Sequence, residues 1–219
     1  MPDISLHHIK TQKTARYYTL GKLDSNTKHI WLVLHGYGQL AEYFIRNFKD
    51  IHYDHHFFIA PEGLSRFYLN ETTGRVGATW MTKEDRENEI EDYLIYLDQI
   101  LNSIEIPADC KINLLGFSQG AATACRWLFH TPLPIKTLIC WSGFFPTDMQ
   151  WNSLKYLNDD MKTYLLYGNQ DEYVTEELMI EMQKIIKNLQ KKPNIITFEG
   201  GHEILSPTLY TLCKTIDKD

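Results

Sequence analysis

The feature that most constrains the fold is a series of short, unbroken apolar runs separated by amphipathic stretches. His29-Ile30-Trp31-Leu32-Val33-Leu34 is the first. Phe57–Ala60, Ile112–Leu115, Thr137–Trp141 and Thr163–Tyr167 resemble it, and Ile195–Phe198 is a further candidate near the end. A strand with one wet face alternates polar and apolar residues, so unbroken runs mark strands covered on both faces. Between them, Ile90, Tyr93, Leu94, Leu97, Leu101 and Ile104 keep the spacing of one helix face. Val174, Leu178, Met182, Ile185, Ile186 and Leu189 do the same. Strands alternating with helices predict an α/β fold with a mostly parallel central sheet and helices on both faces.

Local signals refine this picture. Thr82-x-x-Asp85 reads as a capping box opening the first long helix. Ser206-Pro207 reads as the cap and first position of the last helix, whose buried stripe is Leu209, Leu212, Cys213 and Ile216. Ile4–Lys10 and Ala15–Leu20 suit an N-terminal antiparallel hairpin. Pro61–Met81 contains Gly63, Gly74 and Gly77 and has no clear period. It reads as a long lid or binding loop, with short edge strands at Arg66–Leu69 or Val76–Trp80 as the alternative.

The chain has 219 residues, and neither repeat nor linker interrupts it, so one domain over 1–219 is expected, without a large cap domain. Lys+Arg 22 against Asp+Glu 28 gives a net charge of −6, which speaks against a nucleic-acid partner. No stretch approaches the roughly 18 apolar residues of a membrane span. Met1–His8 lacks a basic segment followed by an apolar core, so no secretory signal is expected. Cys110, Cys125, Cys140 and Cys213 are dispersed, as suits reduced core thiols of a cytoplasmic protein.

Gly116-Phe117-Ser118-Gln119-Gly120 carries the chemistry. It closes the apolar run Ile112–Leu115 and opens a helix through Ala121, Ala124 and Leu128. Gly-x-Ser-x-Gly between a strand and a helix is a nucleophile elbow. The serine occupies a strained turn that leaves no room for side chains two positions away, and the helix N-terminus behind it favours negative charge.

A serine hydroxyl needs a general base, itself oriented by an acid. His202 follows the last apolar run, in Gly200-Gly201-His202-Glu203, where the glycines free the backbone to bring the ring toward Ser118. Asp171, in the turn Gly168-Asn169-Gln170-Asp171, is the favoured acid. Asp148 is its main rival and Glu172 a weaker one. The oxyanion would be held by the backbone N–H of Gln119 and by that of Tyr37, in Leu34-His35-Gly36-Tyr37-Gly38. His35 reads as a bracket for that loop rather than a base. Phe67, Trp80 and Phe144 are candidates to line a substrate pocket, although ordinary core packing explains each equally well. His55-His56, His7-His8 and His130 have no evident carboxylate cluster and read as structural or solvated. Neither metal nor cofactor is expected.

Leu-His-Gly-Tyr-Gly at 34–38, Gly-Phe-Ser-Gln-Gly at 116–120, Gly-x-x-Asp at 168–171 and Gly-Gly-His-Glu at 200–203 together resemble the phospholipase/carboxylesterase family of small serine esterases. The resemblance runs from about Ile30 to the last helix. It implies an α/β-hydrolase core and hydrolysis of carboxylic esters or thioesters, with a small-molecule ester as substrate. Gln119 after the nucleophile and Trp141-Ser142-Gly143 also fit that pattern. Two segments depart from it: Asp171 is followed by Glu172-Tyr173 where the family often has Asp-Pro, and Pro61–Met81 is unlike the thioesterase members. A non-catalytic binding module on the same fold, or a peptidase, are the competing readings.

Overall fold

A computed structural model describes residues 3–51, 55–151 and 160–218; Met1, Pro2 and the other residues lie outside it. Strand β1 (Tyr17–Leu20) is followed by β2 (His29–Leu34), a single-turn helix α1 (Ala41–Phe44) that continues as a 3₁₀ turn over Ile45–Phe48, and β3 (His56–Pro61). Next come β4 (Ser65–Asn70), β5 (Thr73–Thr79), α2 (Arg86–Asn102), β6 (Lys111–Phe117), α3 (Gln119–His130) and β7 (Ile135–Trp141). The chain ends with β8 (Lys162–Gly168), α4 (Glu176–Asn188), β9 (Asn194–Phe198) and α5 (Ser206–Asp217).

Among the described residues, seven strands form one sheet in the order β1-β3-β2-β6-β7-β8-β9. All neighbours pair in parallel except β1, which runs antiparallel to β3. Every apolar run read from the sequence is a strand of this sheet. Alternation within a run sends its residues to opposite faces. In β2, Ile30, Leu32 and Leu34 join the core under α2, α3 and α4, while Trp31 and Val33 join the one under α1 and α5. Both faces of the sheet are therefore dry, which is why β2 carries no polar residue between Ile30 and Leu34.

Four local expectations need correction. The N-terminal antiparallel hairpin does not form: Ile4–Lys10 has no strand, and β1 takes β3 as its antiparallel partner. The apolar side chains of Ile4, Leu6 and Ile9 stay exposed. Polar side chains hold the segment instead, with His8 on Asp85 and Lys10 on Glu91 and Asp92 of α2. Thr82 does not cap α2. The chain makes an extra turn, Asp85 takes the cap position at φ 49°, and the Thr82 hydroxyl donates to Glu89. At α5 the cap position falls on Leu205, so Ser206 and Pro207 both lie inside the first turn. The segment Pro61–Met81 is not an open loop: β4 and β5 pair as an antiparallel hairpin from Ser65↔Thr79 to Asn70↔Thr73.

The N-terminal ends of β2 and β3 hold a buried charge cluster. His29 and His56 lie opposite each other in register. Asp217 Oδ1 stands 3.0 Å from His56 Nε2, 2.9 Å from His55 Nε2 and 3.4 Å from His29 Nε2. The histidines expected to lack carboxylates thus have one, and His130 likewise meets Asp98 at 3.0 Å. Trp31 Nε1 donates to His56 Nδ1 at 2.9 Å, so the His56 ring proton sits on Nε2 and is donated to Asp217. Burial, reinforced by His56, pushes His29 down to about 4 against the pull of Asp217. Burial also lowers His56.

A histidine kept neutral in the fold takes up its proton on unfolding, and the unfolded value is about 6.5. Stability is therefore expected to be flat above about pH 6.5 and to fall as the pH drops toward about 4, by on the order of 2–3 kcal/mol from His29 alone. Urea midpoints across that window check this, and His29→Gln should flatten the slope. A midpoint constant from neutral pH down to about 4 would contradict it.

Candidate active site

The strands β2, β6, β8 and β9 end on one edge of the sheet, aligned by register pairs such as Leu34↔Gly116 and Gly168↔Phe198. Loops leaving the carboxyl ends of parallel strands form the usual crevice of such sheets. These four loops carry Tyr37, Ser118, Asp171 and His202.

Ser118 lies between β6 and α3 at φ 53° and ψ −118°, a conformation rare for a residue with a side chain. Its N–H donates to Trp141 O at 2.9 Å, and its carbonyl accepts from Ala121 N at 3.0 Å. The flanking glycines are required by contact. A Cβ on Gly116 would come 2.1 Å from Gly120 O, and one on Gly120 would come 2.3 Å from Leu34 O. The turn is thus pressed against both its own helix and the end of β2.

Asp171 is 6% exposed. Its carboxylate accepts from Tyr173 N at 3.0 Å and faces His202 Nδ1 at 3.0 and 2.9 Å. Backbone bonds sew the loops bearing these two residues together: Asn169 N donates to Phe198 O and Gln170 N to Gly200 O, each at 2.9 Å. With Asp171 on Nδ1, that nitrogen carries the ring proton and Nε2 is left as a base. The His202 ring is packed against Phe117, the neighbour of Ser118, at 5.0 Å between centroids, and against Tyr173 at 4.6 Å. Asp148 is committed elsewhere, to Arg126 at 2.9 Å and to Arg86.

His35 is fully buried, and burial holds its pKa down to about 4. Its Nδ1 meets Gly36 O at 2.7 Å and its Nε2 accepts from Gly63 N at 2.9 Å, so both nitrogens serve the loop. The loop is closed by Gln39, whose side chain accepts from Gly36 N at 2.8 Å. A Cβ on Gly36 would lie 3.1 Å from Ser118 Cβ, which sets this loop directly over the elbow. Among the described residues, the backbone N–H groups of Tyr37 and Gln119 donate to no protein acceptor.

The Gln119 side chain has a second role that its sequence position did not reveal. Its Oε1 accepts from Thr79 Oγ1 at 3.0 Å and Trp80 N at 3.1 Å, and its Nε2 donates to Met81 O at 2.8 Å. It therefore fastens the end of β5 to the elbow. Trp80, a candidate pocket residue, is instead buried in the core, with its indole N–H on His35 O at 2.8 Å. Phe67 packs on the exposed Tyr37 ring at 5.1 Å, and Phe144 packs on Tyr167 at 5.9 Å.

One group of side chains among the described residues has metal-ligand types and spacing: His29, His56 and Asp217. It lies at the end of the sheet opposite Ser118. The Trp31 N–H on His56 Nδ1 leaves the proton on Nε2, so His56 has no lone pair to offer there. These residues do not fit a metal ion.

The fold is shared with solved structures. Acyl-protein thioesterase 2 of Zea mays superposes with a TM-score of 0.72 at 19% identity, over 94% of this chain and 99% of that one. The carboxylesterase of Bacillus cereus gives 0.66 at 16%, over 93% and 94%. A phospholipase/carboxylesterase of Dyadobacter fermentans gives 0.65 at 20%, over 93% and 96%. At such identities the likeness is one of fold. No curated protein sequence matches the chain significantly. The match that reaches beyond fold is to the phospholipase/carboxylesterase family model, over residues 22–218, and the chain belongs to that family.

Proposed function

We propose that the protein hydrolyses carboxylic esters through an acyl-enzyme on Ser118. The observation that carries this reading is the buried carboxylate of Asp171 on His202 Nδ1, which leaves Nε2 as the base beside the elbow. In this mechanism Nε2 takes the Ser118 proton as Oγ attacks the acyl carbon. Asp171 holds the tautomer and stabilises the imidazolium. The unengaged amides of Gln119 and Tyr37 receive the oxyanion, and the N-terminus of α3 adds its dipole. His202 then protonates the leaving alcohol. In the second half it takes a proton from water, whose oxygen attacks the acyl carbon, and it returns that proton to Oγ as the acyl–Oγ bond breaks, which releases the acid and free Ser118. Phe67 and Phe144 supply apolar surface near the acyl group.

Ser118→Ala is expected to lower kcat on p-nitrophenyl butyrate by about 10⁴ or more, leaving only the residual rate of other nucleophile deletions. A fluorophosphonate probe should label the wild type at Ser118 and leave that variant unlabelled. Retention of activity within tenfold in Ser118→Ala would end the assignment.

The two candidate acids separate in the same assay. Asp171→Asn should cost on the order of 10³–10⁴ in kcat, because the amide stabilises the wrong tautomer. Asp148→Asn, which disturbs only the contacts with Arg86 and Arg126, should stay within tenfold. The reverse ranking would move the acid to residue 148.

A further inference from the structure

A groove of about 680 Å³ begins where the loop over the elbow ends. It is lined by Gly38 and Leu40, by Tyr43 and Asn47 of the segment after that loop, and by Arg75 and Val76 of β5. Gly36 lies against Ser118, and the groove starts two residues on, within about 7 Å along the chain.

The charge in the groove is unusual for this chain. The other five arginines all meet carboxylates: Arg16 and Arg66 on Glu62, Arg46 on Glu42, and Arg86 and Arg126 on Asp148. Exposed Arg75 has no such partner among the described residues. The other polar groups do not neutralise it. Asn47 Nδ2 is spent on Phe44 O at 2.8 Å, which leaves its oxygen as an acceptor. The Tyr43 ring is covered by the Arg46 guanidinium at 4.7 Å, which Glu42 pairs in turn. A planar guanidinium without a carboxylate, lining a groove beside the loop that lies over Ser118, suits a carboxylate or phosphate group bidentately.

Resting on the reading of Ser118 as nucleophile, we infer that the groove selects esters bearing an anionic group at the end remote from the scissile bond, held by Arg75. The anion can belong to the acyl chain or to the alcohol, and the two sources are separable.

The test compares kcat/KM for p-nitrophenyl butyrate with mono-p-nitrophenyl adipate, which carries the anion on the acyl side, and with 4-carboxyphenyl butyrate, which carries it on the alcohol. The expected result is a preference for one anionic ester over the neutral one, carried by KM. Arg75→Gln should reduce that preference roughly fivefold to tenfold, and Arg75→Lys should restore part of it. Lys136→Gln, a matched charge change at the other end of the sheet, should not alter it. High salt should weaken the preference in the wild type. An unchanged ratio of anionic to neutral kcat/KM in Arg75→Gln overturns the inference, whichever ester is used.

Failure of the catalytic reading is visible separately, as absence of turnover of all three esters and of fluorophosphonate labelling. The groove is then read without turnover, by titrating adipate into ¹⁵N-labelled protein. Shifts at the Gly38, Leu40 and Arg75 amides that are lost in Arg75→Gln support the site. No shift up to tens of millimolar overturns it.

Discussion

The arrangement of the site depends on one backbone constraint, the strained turn at the end of the central strand. Ser118 holds a positive φ because β6 ends in the middle of a parallel sheet and α3 must turn back at once to cover it. The turn is compressed until Gly116 and Gly120 have only backbone where a Cβ would stand. That compression fixes the serine relative to three strands at once: β6 through the chain, β7 through Trp141 O, and β2 through Leu34 O. A side chain at either glycine would push the elbow off the sheet, and the neighbouring loops would no longer face it.

Parallel pairing then assembles the remaining groups. With β2 beside β6, the loop over residues 36–39 falls next to the elbow. With β8 beside β9, the loops bearing Asp171 and His202 become neighbours and can be sewn together by backbone bonds. Asp171 meets His202, Phe117 packs on the His202 ring and Gly36 lies over Ser118 because four strands stop at one level, and no contact local in sequence brings them together. The two histidines near the site show how environment divides one residue type. His35 has both nitrogens occupied and a pKa held down by burial, so it braces the loop. His202 has one nitrogen on a carboxylate and the other with no partner among the described residues, which is the state a base requires.

What was readable in the sequence follows the same division. The strands were legible because burial on both faces imposes a run such as Ile30–Leu34, and the elbow because its strain admits so few residues. The β4–β5 hairpin was harder to read. β4 alternates half-buried with exposed residues rather than packing into the main sheet, and the turn uses Glu71 at φ 49° rather than an Asn-Gly pair. The N-terminal segment misled because period-two patterning says nothing about a partner, and the one free edge of β3 was already occupied by β1. Asp217 was unreadable as a partner of three histidines, since more than 150 residues separate it from each. The preference for Asp171 over Asp148 rested on loop position alone. In the structure each has a distinct set of partners, His202 for one and two arginines for the other.

The hairpin is where the family core and the particular features of this chain meet. Its outgoing strand is tied to the loop over residues 36–39 through Gly38 N on Ala78 O and Ala78 N on Gln39 O, at 2.8 and 3.0 Å. Over the next three residues, Thr79 to Met81, the Gln119 side chain ties it to the first turn of α3. The side chain of residue 119 thus positions the strand that carries Arg75, while its backbone N–H donates to no protein acceptor among the described residues. A substitution there breaks the bonds between α3 and the hairpin, so the elbow and the strand that carries Arg75 are mechanically one unit. Selectivity in this protein is therefore expected to change through the hairpin's outward residues, such as Arg75 and Val76, which can vary without disturbing the bonds that hold the elbow.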